Sequence, residues 1–126
     1  MNKEFIPYEQ ALALKELGFN EPCIATYDED KEFEIQDFEQ NYDTFPSHII
    51  AAPLYQQAFR WFRERYNLYG FPKTTFGSMN PKQIVFFYYW IKDGEEFTNI
   101  KEYNTYEEAE LACLKKLIEI VKGGNK

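Results

Sequence analysis

From Ile84 to Ile91 every position is apolar or aromatic: Ile84-Val85-Phe86-Phe87-Tyr88-Tyr89-Trp90-Ile91. Alternate side chains of a strand point to opposite faces, so this run predicts a strand covered on both. Asp93-Gly94 follows as a two-residue hairpin signal, because both central positions of a type I′ turn take positive φ. With that turn as the tip, Trp90 faces Phe97 and Ile84 faces Tyr103 on one side, while Phe87 faces Ile100 on the other. The return strand carries Glu95, Glu96, Asn99, Lys101 and Glu102, and this polarity places it near a sheet edge.

Three stretches follow the helical period. Pro7 opens the first, with Tyr8, Ala11, Leu12 and Leu14 apolar, and Leu17-Gly18-Phe19 closes it as a Schellman ending in which Phe19 folds back on Leu14. Pro53 precedes the second, which places Leu54, Tyr55, Ala58, Phe59, Trp61, Phe62 and Tyr66 in one arc of about 160°. The third opens with Thr105-Tyr106-Glu107-Glu108, a capping-box pattern, and its apolar arc contains Tyr106, Ala109, Cys113, Leu114, Leu117, Ile118, Ile120 and Val121. Acids crowd its first turns and Lys115, Lys116 and Lys122 come later, the polarity that complements a helix dipole.

Between the first two helices, Cys23–Tyr27 reads as a short strand and Phe33 and Ile35 alternate with polar residues in a second, with Asp28 to Lys31 as their turn. Residues 37–50 hold no period and read as a loop. Residues 67–81, punctuated by Gly70, Pro72, Gly77 and Pro81, read as a connector with a short extended piece. The expected fold is a single α+β domain over residues 1–122, ordered α-β-β-α-β-β-α, with an antiparallel sheet covered by helices and a frayed tail at 123–126. The second and third helices are expected on the same sheet face.

The chain has 126 residues, enough for one core without metals or disulfides, and a formal charge of -7. That charge opposes direct nucleic-acid binding, which needs Lys and Arg to neutralise phosphates. No stretch approaches the ~20 apolar residues of a membrane span, and the N-terminal residues lead into a helix signal, so a cytoplasmic protein is expected. The two cysteines, Cys23 and Cys113, are too few for a disulfide framework and are expected to be reduced, buried and inert.

Candidate chemistry is sparse. Eight carboxylates lie between Asp28 and Asp43, against one Lys31. Asp28, Asp30 and Glu32 alternate like calcium ligands and Glu39 falls twelfth, but Phe33 replaces the glycine that a calcium loop needs at its sixth position. A solvated acidic hairpin is the simpler state, and a surface of Glu32, Glu34 and Asp37 that mimics phosphates is the functional one. His48 is the sole histidine and has no ligand partner nearby in sequence. Zinc sites built on His/Cys pairs and serine-nucleophile patterns are not indicated, nor is any cofactor motif; a Cys-His nucleophile pair is left open, with two packed thiols the simpler reading. Arg65 and Glu110 each project within the apolar arc of a helix, so they either pair as buried ions or snorkel to water. Tyr88, Trp90, Phe97 and Tyr103 are candidates for one aromatic sheet face that binds a partner or closes under a helix. A helix-strand-strand-helix ending invites comparison with double-stranded-RNA-binding domains. Those open their last helix with phosphate-contacting lysines, where this chain has Tyr106-Glu107-Glu108-Ala109-Glu110, so that function is rejected.

Three blocks, Phe5-Ile-Pro-Tyr-Glu-Gln-Ala-Leu-Ala-Leu-Lys-Glu-Leu-Gly-Phe19, Ala52-Pro-Leu-Tyr-Gln-Gln-Ala-Phe-Arg-Trp-Phe-Arg-Glu-Arg-Tyr66 and Tyr103-Asn-Thr-Tyr-Glu-Glu-Ala-Glu-Leu-Ala-Cys-Leu-Lys-Lys-Leu-Ile-Glu-Ile-Val121, carry a resemblance. The chain resembles small uncharacterised proteins carried by phages and prophages of gut-dwelling Bacteroidetes, most specifically in the middle block. The resemblance implies a bacterial cytoplasm and a mobile-element setting, and it transfers no active site. The expected function is a non-enzymatic accessory module that binds a protein, such as a host protein. An acidic nucleic-acid mimic and a small enzyme with a carboxylate/tyrosine site are the alternatives, and homo-oligomerisation is left open.

Overall fold

The computed structural model describes residues 2–40, 48–77, 84–93, 96–98 and 102–123, with side chains at all of these but 2, 36–40, 75–77, 84–86 and 96–98. Helices and two separate antiparallel sheets make an α+β fold. The chain divides into two compact units, Met1–Ala58 and Phe59–Lys126.

In the first unit, helix α1 spans Tyr8–Leu17 and is followed by β1 (Cys23–Tyr27), β2 (Phe33–Gln40) and β3 (Ile50–Ala51), in the sheet order β2-β1-β3. The α1 ending is as the sequence predicts. Gly18 sits at φ 101, and the Phe19 and Gly18 N–H groups donate to Leu14 and Lys15. Phe19 is thereby drawn into the core with Ile6 and Leu14. Tyr27 is fixed from two sides, its hydroxyl donating to the Ile6 carbonyl at 2.8 Å and its ring meeting Tyr8 edge-on and Phe33 at a tilt.

Strand β3 is a correction, since residues 37–50 were expected to form a loop. Ile50 and Ala51 pair with Tyr27 and Thr26, both are buried, and the Ala52 N–H extends the pairing to Ala25. A two-residue strand is too short to register as a period, and only its partner strand reveals it.

The second unit is built from the later turns of α2 (Tyr55–Tyr66), the strands β4 (Leu68–Gly77), β5 (Ile84–Asp93) and β6 (Glu96–Thr98), and α3 (Tyr106–Lys122). The sheet order is β4-β5-β6, so the aromatic strand is central and the polar return strand lies at an edge. Strand β4 corrects the connector expected at 67–81: it is ten residues long and pairs with β5 along its whole length, from Leu68↔Asp93 to Gly77↔Ile84. Gly70 and Pro72 look like loop punctuation, yet Pro72 is tolerated because β4 is an edge, and Gly70 is required by what packs over it. A Cβ there would lie 2.8 Å from Cys113 Sγ and 3.0 Å from Leu117 Cδ1, with Phe59 Cδ1 next at 3.5 Å. Helices α2 and α3 therefore both reach the same side of this sheet, as expected.

The hairpin register is also corrected. Lys92 is paired with Phe97 where Trp90 was expected, and Phe87 bridges to Tyr103 in place of Ile100. The Leu68↔Asp93 pair carries β5 through Asp93, so the neighbouring strand overrides the local turn preference of Asp93-Gly94. Helix α3 starts as predicted, with Thr105 Oγ1 accepting from the Glu108 N–H at 3.1 Å; Glu108 Oε1 accepts from Asn104 rather than from the cap itself.

Candidate functional site

Strand alternation divides the β4–β5 ladder into two unlike faces. Leu68, Gly70, Pro72, Phe87, Tyr89 and Ile91 point to the α3 side, where Leu68 and Ile91 are 0% exposed and Tyr89 is 5% exposed. Among the described side chains, the opposite face holds three cross-strand pairs, Tyr69↔Lys92, Phe71↔Trp90 and Lys73↔Tyr88. There Phe71 and Trp90 are each 38% exposed, and both lysines are exposed. Tyr69 stacks along the strand on Phe71, Tyr88 meets Trp90 edge-on, and Lys73 Nζ lies 5.1 Å from the centre of the Trp90 ring. Such cation–π contact orients the indole and keeps the ammonium beside it. The face is thus a grid of four aromatic rings with lysines at opposite corners.

Of the aromatic residues singled out from sequence, Tyr88 and Trp90 lie on this face. The Phe97 backbone pairs opposite Lys92, and its side chain lies outside the described residues. Tyr103 does not join them. Its bridge to Phe87 turns it to the α3 side, where its ring stacks on Tyr89 at 6.2 Å. Tyr69, Phe71 and Lys73 were missed because their segment reads as a connector. The signal was the alternation of Leu68, Gly70 and Pro72 with Tyr69, Phe71 and Lys73, obscured by the two helix-breaking residues.

Arg65 and Glu110 are not brought together. Arg65 is exposed and its guanidinium lies over the Trp61 and Tyr66 rings at 5.8 and 5.7 Å, so stacking explains its place in an apolar arc. Glu110 is half-buried on α3, and desolvation with help from Glu107 pushes its carboxyl up to about 7. Near it, burial raises the Tyr106 phenol and the Cys113 thiol, and under α3 burial pushes the Tyr89 phenol up to about 12. At neutral pH these phenols and this thiol stay protonated, so they offer neither base nor nucleophile.

The raised Glu110 value has a direct consequence for stability. The folded state holds a proton that the unfolded chain releases near 4.5, so stability is full below that value and falls as pH rises to about 7. Glu110→Gln is expected to raise stability at pH 8 by about 1 kcal/mol, allowing for solvent screening of a half-exposed group, and to leave it unchanged near pH 4. Urea midpoints at the two pH values check this.

On the β1–β2 hairpin, Glu32 and Glu34 are exposed, and the Asp37 side chain lies outside the described residues. Asp28 is engaged within its own turn: its Oδ1 accepts from the Asp30 and Glu32 N–H groups, with Lys31 at φ 66. Lys31 reaches Glu9 and the Tyr8 ring. Both cysteines are free and buried. Among the described residues no group of three His, Cys, Asp or Glu side chains converges as metal ligands. No helix among them is long and apolar enough to cross a membrane.

No protein-family model, curated protein or solved structure matches the chain.

Proposed function

We propose that this chain is a non-enzymatic accessory module of the bacterial cytoplasm, phage- or prophage-encoded, that binds a protein partner through the outer face of its β4–β5 sheet. One observation carries the proposal: Trp90 and Phe71 are cross-strand neighbours, each more than a third exposed, on a face whose reverse side is closed by α3. Large rings left part-exposed on a sheet cost solvation without stabilising the fold, whereas aromatic anchors supply much of the affinity of protein interfaces. Catalysis is less well supported, because the phenol of Tyr106 and the thiol of Cys113 near Glu110 are both raised by burial and stay protonated at neutral pH.

The test is a pull-down from a Bacteroidetes lysate, read by quantitative mass spectrometry, with wild type and Trp90→Ala/Phe71→Ala as baits. Proteins held through this face are expected to be lost from the double variant, corresponding to at least ~30-fold weaker binding for two central aromatic residues. Glu32→Gln/Glu34→Gln/Asp37→Asn is expected to capture them undiminished. Loss in the second variant and retention in the first would favour the acidic-mimic alternative.

A further inference from the structure

We infer that the partner contributes an extended segment that adds antiparallel to the open edge of β4 and lays an apolar side chain beside Phe71. The inference rests on the outer sheet face being the binding surface, and it names the form in which a partner reaches that face. Strand β4 is ten residues long and stands at one end of the order β4-β5-β6; among the described residues no strand pairs with its other edge. At the opposite end β6 has only three residues. A long open edge is a row of unpaired N–H and C=O groups, which is a template for another strand.

Backbone alternation decides which groups face that edge. Tyr103 donates its N–H to the Phe87 carbonyl, so Phe87, Tyr89 and Ile91 turn their backbone groups towards β6, while Tyr88, Trp90 and Lys92 turn theirs towards β4. Lys73, Phe71 and Tyr69 complete those bonds, and the residues between them, Leu68, Gly70, Pro72 and Thr74, point theirs to the open edge. Pro72 therefore interrupts no bond to β5. An antiparallel segment gains two bonds at Gly70, two at Thr74 and one at Pro72, which has no N–H to give. Its residue opposite Phe71 falls on the outer face, beside a ring that is 38% exposed and paired across the ladder with Trp90. Pro72 also disfavours a second copy of the chain as the occupant. In any symmetric β4–β4 pairing that spans it, the missing N–H is lost once from each chain, whereas a foreign segment meets the gap once.

Selection of random displayed linear peptides on the immobilised full chain tests this, with Thr74→Pro, Thr74→Val and Trp90→Ala as parallel baits. Thr74→Pro removes an outward N–H without touching the bonds to β5, and Thr74→Val keeps it; a urea midpoint close to wild type establishes that each variant is folded. The expected winners bind Thr74→Pro at least about tenfold more weakly and Thr74→Val as they bind wild type. Synthesised with one N-methyl amide at a time, a winner is expected to lose binding at alternate positions only, a readout that needs no variant of the protein. Pro72→Ala restores an N–H to the edge and is expected to bind the same peptide about fivefold more tightly. Winners that depend on Trp90 but ignore Thr74→Pro and N-methylation would overturn strand addition and leave the outer face standing. Winners lost in Thr74→Pro but indifferent to Trp90→Ala would support strand addition and overturn the aromatic face. Absence of any peptide sensitive to these changes would overturn both. A concentration-dependent wild-type dimer lost in Thr74→Pro would overturn the inference in favour of a second copy of the chain.

Discussion

Gly70→Ala is expected to destabilise the second unit by about 2 kcal/mol, lowering the urea midpoint by roughly 1 M. The new methyl would sit 2.8 Å from Cys113 Sγ, and Cys113 is 0% exposed in the middle of α3 with nowhere to retreat. Leu117 Cδ1, at 3.0 Å, is the far end of a longer side chain and yields more easily. The strain therefore falls mainly on the sulfur, which gives the prediction a second arm. Cys113→Ala alone opens a small cavity and costs about 1 kcal/mol, but in its presence Gly70→Ala should become nearly neutral. A double-mutant cycle with no coupling would show that α3 does not lie over Gly70 as described. Gly70 would then be a feature of strand entropy, not of helix packing.

A still larger effect is expected from residues adjacent in sequence and opposite in orientation. Tyr89→Ala removes a ring that is 5% exposed and stacked on Tyr103 beneath α3, and should cost about 3–4 kcal/mol. Trp90→Ala removes a larger ring that is 38% exposed and held by Tyr88 and Lys73, and should cost no more than about 1 kcal/mol. The order inverts what side-chain size alone would give. Denaturation curves of the two variants check it, and a Trp90→Ala cost equal to that of Tyr89→Ala would mean that the outer face is covered.

The helices were legible in the sequence because each carries both a period and a terminal signal: Gly18 for α1, Pro53 for α2 and Thr105 with Glu108 for α3. The aromatic strand was legible as well, and so was the edge position of its polar return strand. What was hidden was its other neighbour. In β4 the residues that make the close packing work, Gly70 and Pro72, are those that mark a loop in isolation. Half of the candidate face was therefore lost with it. The position of Tyr103 was hidden for a different reason, since register depends on the partner strand as well as on the turn. Asp93 pairs with Leu68, and a preference residing in two turn residues yields to a ladder ten residues long. Arg65 and Glu110 share the property of lying in an apolar arc, but their surroundings differ, because Arg65 has aromatic rings beneath it and Glu110 has a second carboxylate beside it.

The outer β4–β5 face, rather than the acidic hairpin or the surroundings of Glu110, is proposed to receive the partner. Amide chemical-shift mapping of the isotope-labelled full chain, titrated with a protein that the pull-down enriches, tests it most directly. The largest shifts are expected on Tyr69, Phe71, Lys73, Tyr88, Trp90 and Lys92. Shifts concentrated on Glu29 to Glu34, or around Glu110, with those six residues unmoved, would contradict it.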